Sequence, residues 1–121
     1  MSTTTAFDLE RFTRAAEERD AATQLSMYGP DATVTILDRV SQPSSPRVLR
    51  GREEVREWLQ DMFGRDMTHS VTQRVADDAG AAYTLACRYP DGNQVACATL
   101  IALESGQIKG QTVLQVWDET E

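Results

Sequence analysis

His69 is the single histidine of the chain. An imidazole has an intrinsic pKa of about 6.5, close to the value that general acid or base work at neutral pH asks for. Asp38 or Tyr83 would serve as its partner, a carboxylate or phenol able to orient the ring. Each of the two proton-transfer candidates also has a plainer reading: His69 as a rim residue bonded to solvent or backbone, and Asp38 as an exposed aspartate ending a strand. Cys87 and Cys97 make neither a disulfide framework nor a complete metal site, and read as two buried, reduced thiols. One histidine and scattered carboxylates do not supply the three or four convergent ligands of a zinc site, so no metal is expected. Glycine-rich phosphate loops and nucleophile elbows are missing from the sequence, which leaves no cofactor and no serine-hydrolase chemistry to expect.

The 121 residues carry a formal charge of -7, from 19 acidic against 12 basic side chains. Such a balance repels phosphate backbones and argues against a nucleic-acid partner. The hydrophobic fraction of 40% and charged fraction of 26% are ordinary for a globular chain. No run approaches the roughly 18 apolar residues that span a bilayer, so no membrane association is expected. The segment MSTTTAFDLE lacks the basic and apolar stretches of a secretory signal, and the expected location is cytoplasmic. Residues 1–6 read as a flexible N-terminus and residues 7–119 as one domain.

The elements that must position these groups follow from period and punctuation. Leu9, Phe12 and Ala16 recur at helical spacing, and Asp20 can cap a second short helix that carries Leu25 and Tyr28. Gly29-Pro30 ends helical structure, and DATVTILD alternates as a half-buried strand. SQPSSP is a loop to a short partner strand, RVLR. A third helix begins after Gly51, with Val55, Trp58, Leu59 and Met62 on one face, acids in its first turn and Gly64 as its stop. From Thr68 the period changes to two, giving the strands HSVTQRV, AAYTLACRY, NQVACATLIAL and QIKGQTVLQVW. Reversals at Asp77 to Gly80, Pro90 to Asn93 and Ser105-Gly106 make them an antiparallel meander.

This order of elements, together with YGPDATV, LRGREEVREW and IALESGQIKGQTVLQVWDE, resembles the SnoaL-like and ketosteroid isomerase-like branch of the nuclear transport factor 2-like superfamily. The resemblance covers nearly the whole chain. It implies an α+β cone: about three N-terminal helices packed on a strongly curved antiparallel (mixed) sheet that encloses a pocket. Combined with period two, it selects the inward-facing side chains. These are Val34, Ile36 and Asp38; His69, Val71 and Gln73; Tyr83, Leu85 and Cys87; Cys97, Thr99 and Ile101; Gln111, Val113 and Gln115. The helices add Phe12, Tyr28, Trp58 and Met62.

Relatives of the steroid isomerase type need a carboxylate base, with a tyrosine and a protonated aspartic acid donating to an enolate. Aligned by the shared motifs, those positions hold Ile36, Phe12 and Thr99, so that constellation is not intact. Asp38, two residues beyond Ile36, is a displaced base if the strand continues regularly. An Asp-Arg-Asp arrangement of the epoxide hydrolase type is not found either, because alternation turns Arg88 away from Tyr83 and Leu85. The mixed lining suits an oxygenated hydrophobic molecule, polyketide-, terpenoid- or steroid-like. Two functions stay open: a cofactor-free isomerase, cyclase, dehydratase or hydrolase using His69 and Asp38, or a non-catalytic binding or interaction module. The resemblance also implies a homodimer through the outer face of the sheet.

Overall fold

Asp8 opens the first helix: its carboxylate accepts from the Arg11 amide at 3.0 Å, satisfying one of the donors that a helix start leaves bare. The computed structural model describes residues 7–118. Helix α1 (Leu9–Glu17) buries Phe12, Thr13, Ala15 and Ala16. The chain reverses at Arg19, whose φ is 57°, into α2 (Ala21–Ser26), capped by Asp20 as its position predicts. Tyr28 lies beyond that helix, as the first residue of β1 (Tyr28–Leu37), which corrects its helical assignment. Strand β2 (Arg47–Arg50) pairs antiparallel with β1 and leads into α3 (Gly51–Gly64). There the Glu54 carboxylate accepts from the Arg50 amide at 2.9 Å. Val55, Trp58, Leu59 and Phe63 are buried along α3, and Met62 is half-buried. Gly64 is not a left-handed cap; the helix stops because Arg65 is extended, with φ -76° and ψ 147°.

Strands β3 (Thr68–Ala76), β4 (Gly80–Arg88), β5 (Gln94–Glu104) and β6 (Gln107–Trp117) form the expected antiparallel meander. The six-stranded sheet has the order β2-β1-β6-β5-β4-β3, and β1 lies parallel to β6, so it is mixed and open. Three helices cover its concave face, where Phe12, Tyr28, Val34, Ile36, Val55, Leu59 and Ile108 form the centre of the core. The fold is therefore the α+β arrangement expected. The proposed flexible segment 1–6 and residue 119 lie outside the described residues. No helix among the described residues is long and apolar enough to cross a membrane.

Two irregularities set which side chains face inward. In β3, Val71 pairs with Leu85 but Gln73 pairs with Thr84, so Thr72 is an extra residue and the alternation inverts beyond it. Gln73 is consequently exposed, correcting its inward assignment, and Arg74 takes the concave side instead, reaching the Thr13 hydroxyl at 3.3 Å. In β6, a second bulge lies between the Leu103–Ile108 and Ala102–Gly110 pairs. It lets both Ile108 and the odd-numbered run Gln111, Val113, Gln115 point toward the helices.

The β5–β6 reversal is a two-residue turn with Ser105 at φ 54° and Gly106 at φ 78°, the geometry that matches the twist of a hairpin. Gly80 begins β4 against its neighbour's backbone, and a Cβ there would sit 2.7 Å from the Ile101 carbonyl oxygen. Gly64 has open space around it. Gly80→Ala is therefore expected to destabilise the fold by about 1–3 kcal/mol, as overpacking against rigid backbone does. Gly64→Ala should stabilise by roughly 0.5 kcal/mol through helix propensity and unfolded-chain entropy. Urea denaturation of the two variants checks the contrast, and equal midpoints would contradict it.

Candidate functional site

The concave face is mostly filled, and what remains open lies along its axis in two small compartments. The outer one, a vestibule of about 70 Å³, is walled by Ile36, Trp58, Met62, Leu85, Val95 and Trp117, with Asp38, Arg47, Asp61, Arg65 and Gln115 as its polar groups. Cys87 and Cys97 also border it. The inner one, about 20 Å³, lies among Gln24, Phe63, Tyr83, Thr99, Gln111 and Val113. Trp58, Met62, Leu85, Cys97 and Gln115 border both, so these five side chains are the partition between them.

Strand parity delivers most of this lining. Leu85 and Cys87 on β4, Cys97 and Thr99 on β5, and Val113 and Gln115 on β6 share one face because each pair is two residues apart. Trp117 continues the same parity and was missed, although the period extends to it. Gln24, Arg47, Asp61 and Arg65 were also missed. Of these, Gln24 and Asp61 lie on helices, while Arg47 and Arg65 sit where a strand or helix meets a loop, and period carries no signal for them. Phe12, Tyr28, Val71 and Ile101 border neither compartment: Phe12, Tyr28 and Ile101 are core, and Val71 is half-buried at its edge.

The inner compartment is lined by polar groups that already have partners. The Tyr28 hydroxyl donates to the Gln111 side-chain oxygen. Gln24 Nε2 donates to the Phe12 carbonyl at 2.9 Å. Burial pushes Tyr83 up to about 12, partly offset by its hydrogen bond with Thr99. Tyr28 is raised further, again by burial. Both phenols are neutral donors at physiological pH. No carboxylate borders this compartment among the described residues, in keeping with Ile36 and Thr99 at the positions where an isomerase would carry acids.

Asp38 stands at the mouth. Its Oδ1 accepts from the amides of Val40 and Ser41 at 2.9 and 2.8 Å, so the turn that ends β1 fixes the carboxylate against the vestibule. Gln115 Oε1 accepts from the Trp117 indole at 3.1 Å, which leaves the amide nitrogen for an occupant. Trp117 is itself held by Tyr89 stacked at 6.1 Å and by the Arg39 guanidinium 4.5 Å above its ring. Asp61 and Arg65 pair at 2.8 Å on the exposed rim.

His69 is buried and does not border the vestibule; it abuts an open groove beside Glu17, Arg19, Tyr89 and Pro90. The structure therefore separates the two proton-transfer candidates. His69 reaches the vestibule through Cys87, whose Sγ lies 3.3 Å from Nδ1. Its ring packs edge-on against Phe63 at 5.4 Å, and Nε2 is buried with no partner. An orphaned buried N–H is the rarer defect, so Nε2 is the bare acceptor and Nδ1 carries the proton toward sulfur. Hydrogen bonding from the Cys97 thiol and then from His69 holds Cys87 down at about 5. Cys97 is raised, because it keeps the proton it donates to Cys87. Cys87 and Cys97 are both buried and outside any disulfide, as expected, and Cys87 borders the vestibule as its strand parity requires.

Tyr83, Tyr28 and Cys97 all have folded-state values above their unfolded ones, so the stability they contribute is present at neutral pH and lost as pH rises. The loss begins near the ordinary cysteine value of about 8.5 and steepens above the ordinary tyrosine value of about 10. Thermal denaturation midpoints should fall progressively from pH 8.5 to 12. Tyr83→Phe should flatten the limb between pH 10 and 12, and an unchanged slope in that variant would show that Tyr83 does not contribute.

The profile of the SnoaL-like domain matches residues 9–111. A comparison with curated proteins finds no match. Among solved structures, a protein of Kribbella flavida named as a candidate ketosteroid isomerase superposes with a TM-score of 0.74 at 16% identity, over 93% of this chain and 76% of the other. A nuclear transport factor 2-like protein of unknown function from Mesorhizobium loti gives 0.75 at 17%, over 89% and 87%. SalBIII, described as an epoxide hydrolase/cyclase-like enzyme in pyran ring formation in the polyether salinomycin, gives 0.68 at 21%, over 91% and 87%. Identities this low speak for the fold alone. With the family profile spanning most of the sequence, the chain belongs to the SnoaL-like domain family, within the nuclear transport factor 2-like superfamily.

Proposed function

We propose that this chain binds an oxygenated hydrophobic molecule, polyketide-, terpenoid- or steroid-like, at the mouth of the cone and moves a proton on it without a cofactor. The observation that carries this reading is the vestibule itself, where apolar walls meet a fixed carboxylate, Asp38, and the amide of Gln115 in one concave space. Asp38 would take the proton, and the Gln115 amide would hold the substrate oxygen. The reaction class is isomerisation or cyclisation, with dehydration and hydrolysis within reach of the same base. The names of two structural neighbours, one a candidate ketosteroid isomerase and one cyclase-like, support that class. His69 acts behind Cys87 rather than on substrate.

A space of about 70 Å³ is smaller than the ligand itself. Binding therefore requires displacement of Met62, half-buried and unbranched, which is the partition side chain most able to change rotamer. Trp58 and Trp117 both border the vestibule, so their fluorescence reports occupancy. Titration with a panel of oxygenated polycyclic and terpenoid compounds should give saturable quenching. For a compound that is turned over, Asp38→Asn should lower kcat by about 10²–10⁴-fold with binding retained. Turnover that survives this substitution would remove Asp38 from the mechanism. Quenching without turnover of any compound would favour the second reading, a binding module, which Phe12 at the tyrosine position and Ile36 at the base position support.

The same proposal includes a homodimer through the convex face. Leu100 and Val116 stand there 52% and 71% exposed, beside Leu114 and the threonines Thr33, Thr35 and Thr112. An apolar face of this extent on an open sheet is a surface for association. Native mass spectrometry should give twice the chain mass, and Leu100→Glu with Leu114→Glu should halve it. A monomeric wild-type protein at micromolar concentration would refute the dimer.

A further inference from the structure

We propose that Cys87 is a nucleophile that captures small α,β-unsaturated carbonyl compounds entering the vestibule, with His69 and Cys97 as its positioning partners. Three observations meet at its sulfur. Cys87 borders the vestibule. His69 Nδ1 lies 3.3 Å from Sγ, and the orphaned Nε2 on the other side of the ring orients the Nδ1 proton toward it. Cys97, one diagonal step away on β5, faces the same space. A histidine nitrogen at the sulfur, with a second thiol on the neighbouring strand, favours the thiolate, the form that attacks carbon.

The step needs no oxidant or reductant. Sγ bonds to the β-carbon as the carbon–carbon π bond breaks, and the electron pair passes to the carbonyl oxygen as an enolate. The Gln115 amide is the vestibule donor placed to receive that charge. The α-carbon then takes a proton from water at the mouth, so thiolate and proton add across the double bond. A soft anion in a largely apolar space selects conjugated carbonyls over hard electrophiles such as phosphate esters. Besides His69 and Cys97, the titratable and charged groups facing this space are Asp38 after β1, Arg47 on β2, Asp61 on α3 and Arg65 just beyond it. Two carboxylates and two guanidiniums balance, so the partners nearest the sulfur decide its state.

This inference rests on the vestibule admitting ligands, and the experiment separates the two ideas. Purified protein is treated with cyclohex-2-enone, and the adduct is followed by intact mass and located by peptide mapping; cyclohexanone and the saturated panel are titrated in parallel by tryptophan fluorescence. One adduct is expected, on Cys87, with a rate that changes less than about threefold between pH 6 and 8; an ordinary thiol would slow on the order of 80-fold. Cys87→Ser should abolish the adduct. His69→Phe should lower the rate at pH 6 at least tenfold relative to pH 9. Where that variant does not fold, Cys97→Ala should move the acid limb upward in the same sense while the adduct stays on Cys87. Modification of Cys97, no adduct, or the pH profile of an ordinary thiol overturns the inference, even if saturated ligands bind. A flat profile on Cys87 with no saturated ligand bound upholds it and counts against the proposed function instead.

Discussion

Register across β4, β5 and β6 is the constraint on which the interior depends. The side chains that define both compartments come from alternate positions on these strands, and a slip of one residue would replace them with their outward neighbours. Three features fix that register. The Asp77 carboxylate accepts from the amides of Ala79 and Gly80, closing the β3–β4 reversal. Gly80 lets β4 start hard against Ile101. The positive φ pair at Ser105 and Gly106 then commits β5 and β6 to one pairing. Because β1 lies parallel on β6, the same register also decides that Ile36 meets Val113 and that Asp38 stands at the open end.

Where alternation is unbroken, period two combined with the family resemblance made the interior legible. Tyr83, Leu85 and Cys87, or Gln111, Val113 and Gln115, face inward as period two requires. Gln73 shows where such reading stops. An extra residue at Thr72 inverts the strand, and nothing in HSVTQRV marks a bulge, because all of its residue types suit either face. Tyr28 is a different failure: the glycine-proline pair that looks like a helix terminator lies inside an irregular stretch of β1, and the strand begins before it. The helical lining, Gln24 and Asp61, was not legible because a helix face is read from apolar spacing, and these residues are polar. The pairing of His69 with Cys87 needed the β3–β4 register, which sets those two residues directly opposite.

The interior divides by polarity as well as by volume. At depth, hydroxyls and amides satisfy one another, and burial holds both tyrosines neutral. A carboxylate there would need donors that are already committed, and leaving one of them unpaired costs about 1–3 kcal/mol. Phe12, Ile36 and Thr99 avoid that cost. Charge is kept instead to the mouth, where Asp38, Arg47, Asp61 and Arg65 retain access to water. The carboxylates and guanidiniums that border the interior are therefore those of the rim.

Cys87 is the exception that this division explains. It borders the vestibule, yet 4% of its surface is exposed, so the thiolate proposed for it would depend on protein donors rather than on solvent. His69 supplies one by accepting an unpartnered Nε2 on its far side, a defect that an apolar residue in the same place would not have. The neighbouring thiol of Cys97 is held protonated beside it, so the two cysteines move in opposite directions. A histidine placed only to fill the gap beside Phe63 would not need to face sulfur. Its Nδ1 stands 3.3 Å from Sγ, across the β3–β4 pair that sets the two residues opposite each other, and the sulfur on the far side of that contact borders the vestibule.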